Sequence, residues 1–141
     1  MLTETERLDR SYRLDDRYLK ESGRVFMTGT QALVRVVLDQ ARRDRAAGLN
    51  TAGFVSGYRG SPLGGVDLEL WRARKLIEEN RIEFLPAVNE DLAATAVLGS
   101  QQVETNPDKQ VEGVFGQPRI EIAEVQPHLA CETLRAHREA V

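Results

Sequence analysis

The sequence predicts an α/β fold, a parallel sheet flanked by helices, on three observations. Amphipathic helical stretches alternate with short apolar runs in the order helix, strand, helix, strand, helix, strand. The apolar runs are brief, as in the short strands of a sheet covered on both faces. Two stretches of unusual composition, SGYRGSPLGG and AVNED, directly follow apolar runs, where the ligand-facing loops of such a sheet lie.

The elements are justified in order. Residues 1–22 carry alternating charges with scattered Leu and Tyr, which suits a charged arm laid on another surface rather than a core element. From Thr30 to about Ala47, Ala32, Leu33, Val36, Val37 and Ala41 recur at helical steps, with Arg35, Asp39, Arg42 and Arg43 on the opposite side. Thr28 or Thr30 caps this helix, and Gly48 followed by Asn50 supplies a left-handed stop. TAGFVS, with Phe54 and Val55, reads as a buried strand. Asp67 is a candidate cap for a second helix with Leu68, Trp71, Leu76 and Ile77 as apolar positions, ending near Asn80. Trp71, at helical spacing from Leu68, is expected in the core.

IEFLPAV reads as a second buried strand. A third helix starts at Asn89, with Glu90 and Asp91 in its first turn and Leu92, Ala93, Ala96 and Val97 facing inward. KQVEGVFG is the third strand, after the Asn106-Pro107-Asp108 break. The expected organisation is an arm over 1–22, a domain over 23–116 and a tail of different character over 117–141.

Composition narrows the functions. At 141 residues the chain is one domain's worth, long enough to bury roughly two thirds of its unfolded surface. A net charge of -3 provides no basic footprint for nucleic acid. Cys131 is the single cysteine, so it has no disulfide partner within the chain, and neither His128 nor His137 has an acid or cysteine at metal spacing. No metal site is expected. No stretch approaches the ~20 apolar residues of a membrane span, and the charged amino terminus lacks a signal peptide's apolar run. The expected location is cytoplasmic.

The loop after the first strand reads in two ways. Gly57, Gly60, Gly64 and Gly65 supply turns, stiffened by Pro62. The same glycines also let backbone amides approach a phosphate or carboxylate, with Arg59 as charged clamp and Ser61 as hydroxyl donor. The loop has neither G-x-G-x-x-G spacing nor a Gly-Lys-Ser/Thr end, so it is not a standard nucleotide loop. Glu90 and Asp91 likewise read as charges favoured at a helix amino end, or as a carboxylate placed to meet a ligand's basic nitrogen. Glu90 is the stronger candidate of the two.

The segments FMTGTQALVRVVLDQARRDRAAGLNTAGFVSGYRGSPLGGVD, FLPAVNEDLAATAVLGSQQ and VEGVFG together resemble the amino-terminal end of the indolepyruvate ferredoxin oxidoreductase family, among the thiamine-diphosphate-dependent 2-oxoacid:ferredoxin oxidoreductases. The resemblance runs from about Leu8 to Gly116. It implies a pyrimidine-binding domain in which Glu90 contacts N1′ of the cofactor's aminopyrimidine. It also implies that Tyr58, Arg59, Gly60, Ser61 and Pro62 lie at the active-site mouth near the thiazolium and substrate, that Thr28, Gly29 and Thr30 line the same end of the sheet, and that Gly29, Thr30, Gly57 and Tyr58 join Glu90 in binding the cofactor.

The family's glycine-rich continuation after VFG is not found here, where the text changes at Gln117. The resemblance therefore implies a truncated or frameshifted fragment that contacts thiamine diphosphate at its pyrimidine end only and is inactive alone. Magnesium and iron-sulfur clusters belong to the missing parts, and ferredoxin and coenzyme A to the complete enzyme. The remaining domains or subunits are the expected partners, and exposed apolar surface leads to expected self-association. Two other readings stand beside it: a non-catalytic α/β interaction module, and a phosphate- or nucleotide-binding domain using Arg59.

Overall fold

The computed structural model describes residues 11–60 and 64–119. A short helix α1 (Asp16–Leu19) precedes α2 (Gly29–Ala46), β1 (Thr51–Tyr58), α3 (Gly65–Arg72), α4 (Arg74–Glu79), β2 (Ile82–Ala87), α5 (Glu90–Ser100) and β3 (Gly113–Arg119). The three strands form a parallel sheet in the order β2-β1-β3. The chain adds β2 on one side of β1 and then β3 on the other, and right-handed crossovers put the connecting helices on opposite faces. Accordingly α2, α3 and α4 cover one face of the sheet and α5 covers the other.

Glycine placement shows how tightly the layers meet. A Cβ at Gly53 of β1 would come within 2.6 Å of the Phe115 ring and 2.8 Å of Ile82, so the two outer strands close over the middle one on the α2 face. On the other face, a Cβ at Gly116 would lie 2.5 Å from Val97 of α5. The main core joins Val34, Val37, Leu38 and Ala41 of α2 to Val55, Val66, Leu70, Ala73, Ile77 and Ile82.

Helix α2 is closed at its start by Thr28, whose hydroxyl accepts from Gln31 N while Gln31 Oε1 accepts from Thr28 N. This reciprocal pair satisfies two of the groups a helix start leaves open. Its end is the expected one: Ala47 is the last cap and Gly48 takes φ 77°.

Several expectations on facing are corrected. Val36 is exposed and the buried stripe of α2 passes through Val34 and Leu38 instead. Leu68 and Trp71 are 53% and 41% exposed, because the inward stripe is Val66, Leu70, Ala73 and Ile77, at steps of four, three and four. Trp71 is therefore not core; its ring meets Phe84 edge-on at 5.7 Å. The expected single helix breaks at Ala73 into α3 and α4, and Asp67 lies inside the first turn of α3, with Gly64 at the cap position. Leu92 of α5 points outward, while Ala93 and Val97 are buried, and β2 is not a buried strand: it lies at the sheet edge with Glu83, Leu85 and Pro86 exposed. Gly57 and Tyr58 belong to β1 rather than to the loop, and β3 starts at Gly113 and runs on through Arg119.

The arm is more deeply engaged than its charge suggests. Tyr18 is buried in the main core, and its hydroxyl donates to Glu69 Oε2 at 3.1 Å. Glu69 also accepts from Gln31 Nε2 at 3.4 Å and from Arg72 at 2.5 Å, so one carboxylate joins the arm, α2 and α3. Arg35 of α2 donates to the carbonyls of Arg17 and Lys20, both at 2.6 Å, and Arg42 donates to that of Tyr18. These bonds satisfy arm carbonyls that would otherwise end a short helix unpaired.

Burial, assisted by the hydrogen bond to Glu69, pushes the Tyr18 hydroxyl from its usual 10.0 up to about 12. Burial raises Glu69, but hydrogen bonds from Arg72, Tyr18 and Gln31 outweigh it and leave the carboxyl below its usual 4.5. Tyr18 thus contributes stability that is full below pH 10.0 and lost as pH rises toward about 12. Glu69 contributes stability present above pH 4.5 and lost as pH falls through its lower folded value. Urea midpoints measured across pH should fall at both ends, and Tyr18→Phe should remove the alkaline decline and, with one donor to Glu69 gone, weaken the acid one. An unchanged alkaline limb in that variant would show that the arm is not held through this hydroxyl.

Candidate functional site

In open α/β sheets the ligand-facing edge lies beyond the carboxyl ends of the strands. Here α3 and α5 begin there, since each follows a strand directly. The start of α2 joins them: a Cβ on Gly65, the first residue of α3, would lie 3.6 Å from Thr30 Cγ2. Helix amino ends carry a partial positive charge, so this edge favours anionic or electron-rich groups.

On the α5 side of the edge stand Tyr58 and Glu90. Register pairs Tyr58, the last residue of β1, with Ala87, three positions before Glu90. Asn89 fixes the junction: its side chain accepts from Leu92 N at 2.8 Å, and its extended backbone turns the chain from β2 into α5. Glu90 is thereby half-buried at the first position of the helix, whereas Asp91 is exposed. Val88 and Leu92, two positions before and after Glu90 in the sequence, are 78% and 53% exposed. Such a corner offers a carboxylate to a ring nitrogen, with exposed apolar side chains on the neighbouring positions of the chain.

On the α2 and α3 side stand Arg59, Thr30, Gly29 and Asp67. Arg59, with its side chain 71% exposed, brings Nε to 3.6 Å from Oδ2 of Asp67, whose side chain is 2% exposed. A buried carboxylate is costly without a compensating cation, so the pair ties the glycine loop to the start of α3. Thr28 Oγ1 and Thr30 Oγ1 lie 2.9 Å apart at the start of α2. Gly29 has open space: a Cβ there would meet nothing within 4 Å.

Gly60 is different. A Cβ at that position would fall 2.4 Å from the ring of the partly exposed Tyr58, so a larger residue there would have to displace that ring. Gly57 is buried in β1, opposite Pro86, and contributes to the strand rather than to the loop mouth. Ser61 and Pro62 lie outside the described residues, as do Cys131, His128 and His137.

The edge thus gathers the sequence-derived residues, but on two sides of the sheet: Tyr58 with Glu90, and Arg59 with the starts of α2 and α3. Asp67 was readable only as a helix cap; its role beside Arg59 arises from loop closure, which has no periodic signal. Among the described residues no group of His, Cys, Asp and Glu side chains is placed to hold a metal ion, and no helix is long and apolar enough to cross a membrane.

Because Asn89 alone caps α5 through its side chain, Asn89→Ala should cost about 0.5–2 kcal/mol by urea denaturation. Asn89→Asp should retain most of that stability. Equal losses in both variants would mean that the cap does not set this junction. The chain matches no protein-family model, and no curated protein or solved structure is significantly similar to it.

Proposed function

We propose that this chain is the pyrimidine-binding part of a thiamine-diphosphate-dependent 2-oxoacid oxidoreductase of the indolepyruvate ferredoxin type, acting with further domains or subunits. The observation that carries the reading is the half-buried Glu90 at the junction of β2 and α5, held by the Asn89 cap, with Val88 and Leu92 exposed two positions before and after it in the sequence. The residues present fit an aminopyrimidine ring: one carboxylate for a ring nitrogen, with exposed apolar side chains on neighbouring positions of the chain. Thiamine diphosphate, when bound, supplies the nucleophilic carbon and the electron sink for decarboxylation.

Glu90 in this reading shares a proton with N1′ and favours the imino form of the ring. Tyr58 closes the same corner from β1. Arg59 offers a guanidinium, positioned by Asp67, to the carboxylate of the oxoacid. Diphosphate, magnesium and iron-sulfur clusters are held by other parts of the enzyme, with ferredoxin and coenzyme A as its acceptors. The isolated chain contacts too little of the cofactor to offset the cost of ordering it, and is inactive alone.

A second reading, a non-catalytic interaction module of the same fold, is favoured by the exposed Leu85, Val88, Leu92 and Leu98 along the α5 side. The two part on one residue. In the complex with the complementary diphosphate-binding part, Glu90→Gln should lower arylpyruvate-dependent viologen reduction by about 10²–10⁴-fold, the usual size of a lost acid-base group. Asp91→Asn should leave it unchanged. Wild-type turnover in Glu90→Gln would overturn the assignment and leave the interaction module.

A further inference from the structure

Away from the carboxyl edge, on the half of α2 that leads into β1, lies a groove of about 480 Å³ between the arm and the helix. It is lined by Glu21, Arg35, Asp39, Arg42, Arg43, Arg45 and Ala46. Four guanidinium groups face two carboxylates there, an excess of two positive charges on a chain whose net charge is -3.

Helical spacing arranges these groups. Arg35, Asp39, Arg42 and Ala46 form one stripe at steps of four, three and four, and Arg43 and Arg45 stand on its two flanks. Asp39 is already committed, accepting from Arg35 at 3.1 Å and from Arg42 at 2.7 Å. Both arginines are largely buried, with side chains 14% and 19% exposed, and their remaining bonds to arm carbonyls hold them rigid. Arg45 rests one terminal nitrogen on Asn80 Oδ1 at 3.0 Å, and the side chain of the exposed Arg43 has no ion pair or hydrogen bond among the described residues. Ala46 leaves the floor between the flanking arginines small.

We propose that this groove binds a phosphorylated small molecule, with the phosphoryl dianion clamped between Arg43 and Arg45 and Arg42 beneath it. Guanidinium forks match phosphate oxygens in geometry and in charge. The volume lies within the range of small-molecule sites, and the arm closes one side of the groove, which favours a compact ligand over an extended acidic peptide. The site is independent of the reading at Glu90, since it stands on the part of α2 remote from Thr28 and the carboxyl edge.

The test is titration of the full chain with inorganic phosphate at fixed ionic strength, read by the side-chain Nε–Hε signals of the arginines. Saturable shifts of the Arg43 and Arg45 signals are expected. Arg43→Gln and Arg45→Gln should each weaken phosphate roughly tenfold, the worth of one charge-assisted hydrogen bond. Arg43 is exposed and its variant folds whether or not the Arg45 variant does. Non-saturable shifts, or equal shifts with chloride, would overturn the proposal. So would loss of phosphate binding in Arg59→Gln, which would assign the anion to the glycine loop. Binding of a polyglutamate peptide through the same arginines without any phosphate response would replace the small molecule by an acidic partner and overturn it equally.

Discussion

The Glu69 carboxylate is the point on which the α2 face of this molecule turns. It lies on α3 with its side chain 10% exposed and receives donors from Tyr18, Gln31 and Arg72. A buried carboxylate tolerates this only when its lone pairs are met, and removing one donor leaves the others serving a poorly solvated charge. Gln31 carries the coupling further, since its other atom closes the cap of α2. The arm, the start of α2 and the orientation of α3 are therefore set together. The start of α3 in turn places Asp67, and Asp67 places Arg59 at the mouth of the loop.

The alternation of helices and strands was legible because each apolar run is short, bounded and followed by a polar start signal. Asn89 followed by Glu90 and Asp91 marked a helix start at a strand end as plainly as a sequence can, and Thr28 and Gly48 marked the ends of α2. The faces of the helices were less legible. In α3 and α4 the large residues Leu68 and Trp71 drew the inward stripe to themselves, while the real one passes through Val66 and Ala73, one lying ahead of the expected cap Asp67 and one too small to register. Periodicity reports a stripe only when the helix is unbroken, and the break at Ala73 leaves two short helices with weak signals.

Contacts between distant segments had no local signal at all. The bonds of Arg35 and Arg42 to arm carbonyls look in sequence like a solvated face, and the groove between arm and helix follows from them alone. Tyr18, one aromatic in a charged run, is core only because α2 and α3 bring a surface to it. The result is a molecule with unlike sides. The α2 side is charged and closed by its own arm. Along α5 and the turn after it, positions 92 to 103 contain no charged residue, and Leu92 and Leu98 are open to solvent.

Strand order has a consequence for how the sheet assembles. β1 is central, yet its two neighbours lie at very different separations along the chain: Ser56 meets Leu85 across 29 positions, whereas Asn50 meets Glu112 across 62. Closing the longer loop costs roughly 0.6 kcal/mol more for each doubling of length, and β3 comes with α5 still to dock. The β1–β2 unit is the one expected to close first, leaving the other edge of β1 briefly bare. Pulse-labelled amide exchange should show protection in β1 and β2 ahead of β3. During that interval the open edge of the middle strand is where a second nascent chain could pair, so the concentration at which this protein refolds cleanly is governed by how soon its last strand arrives.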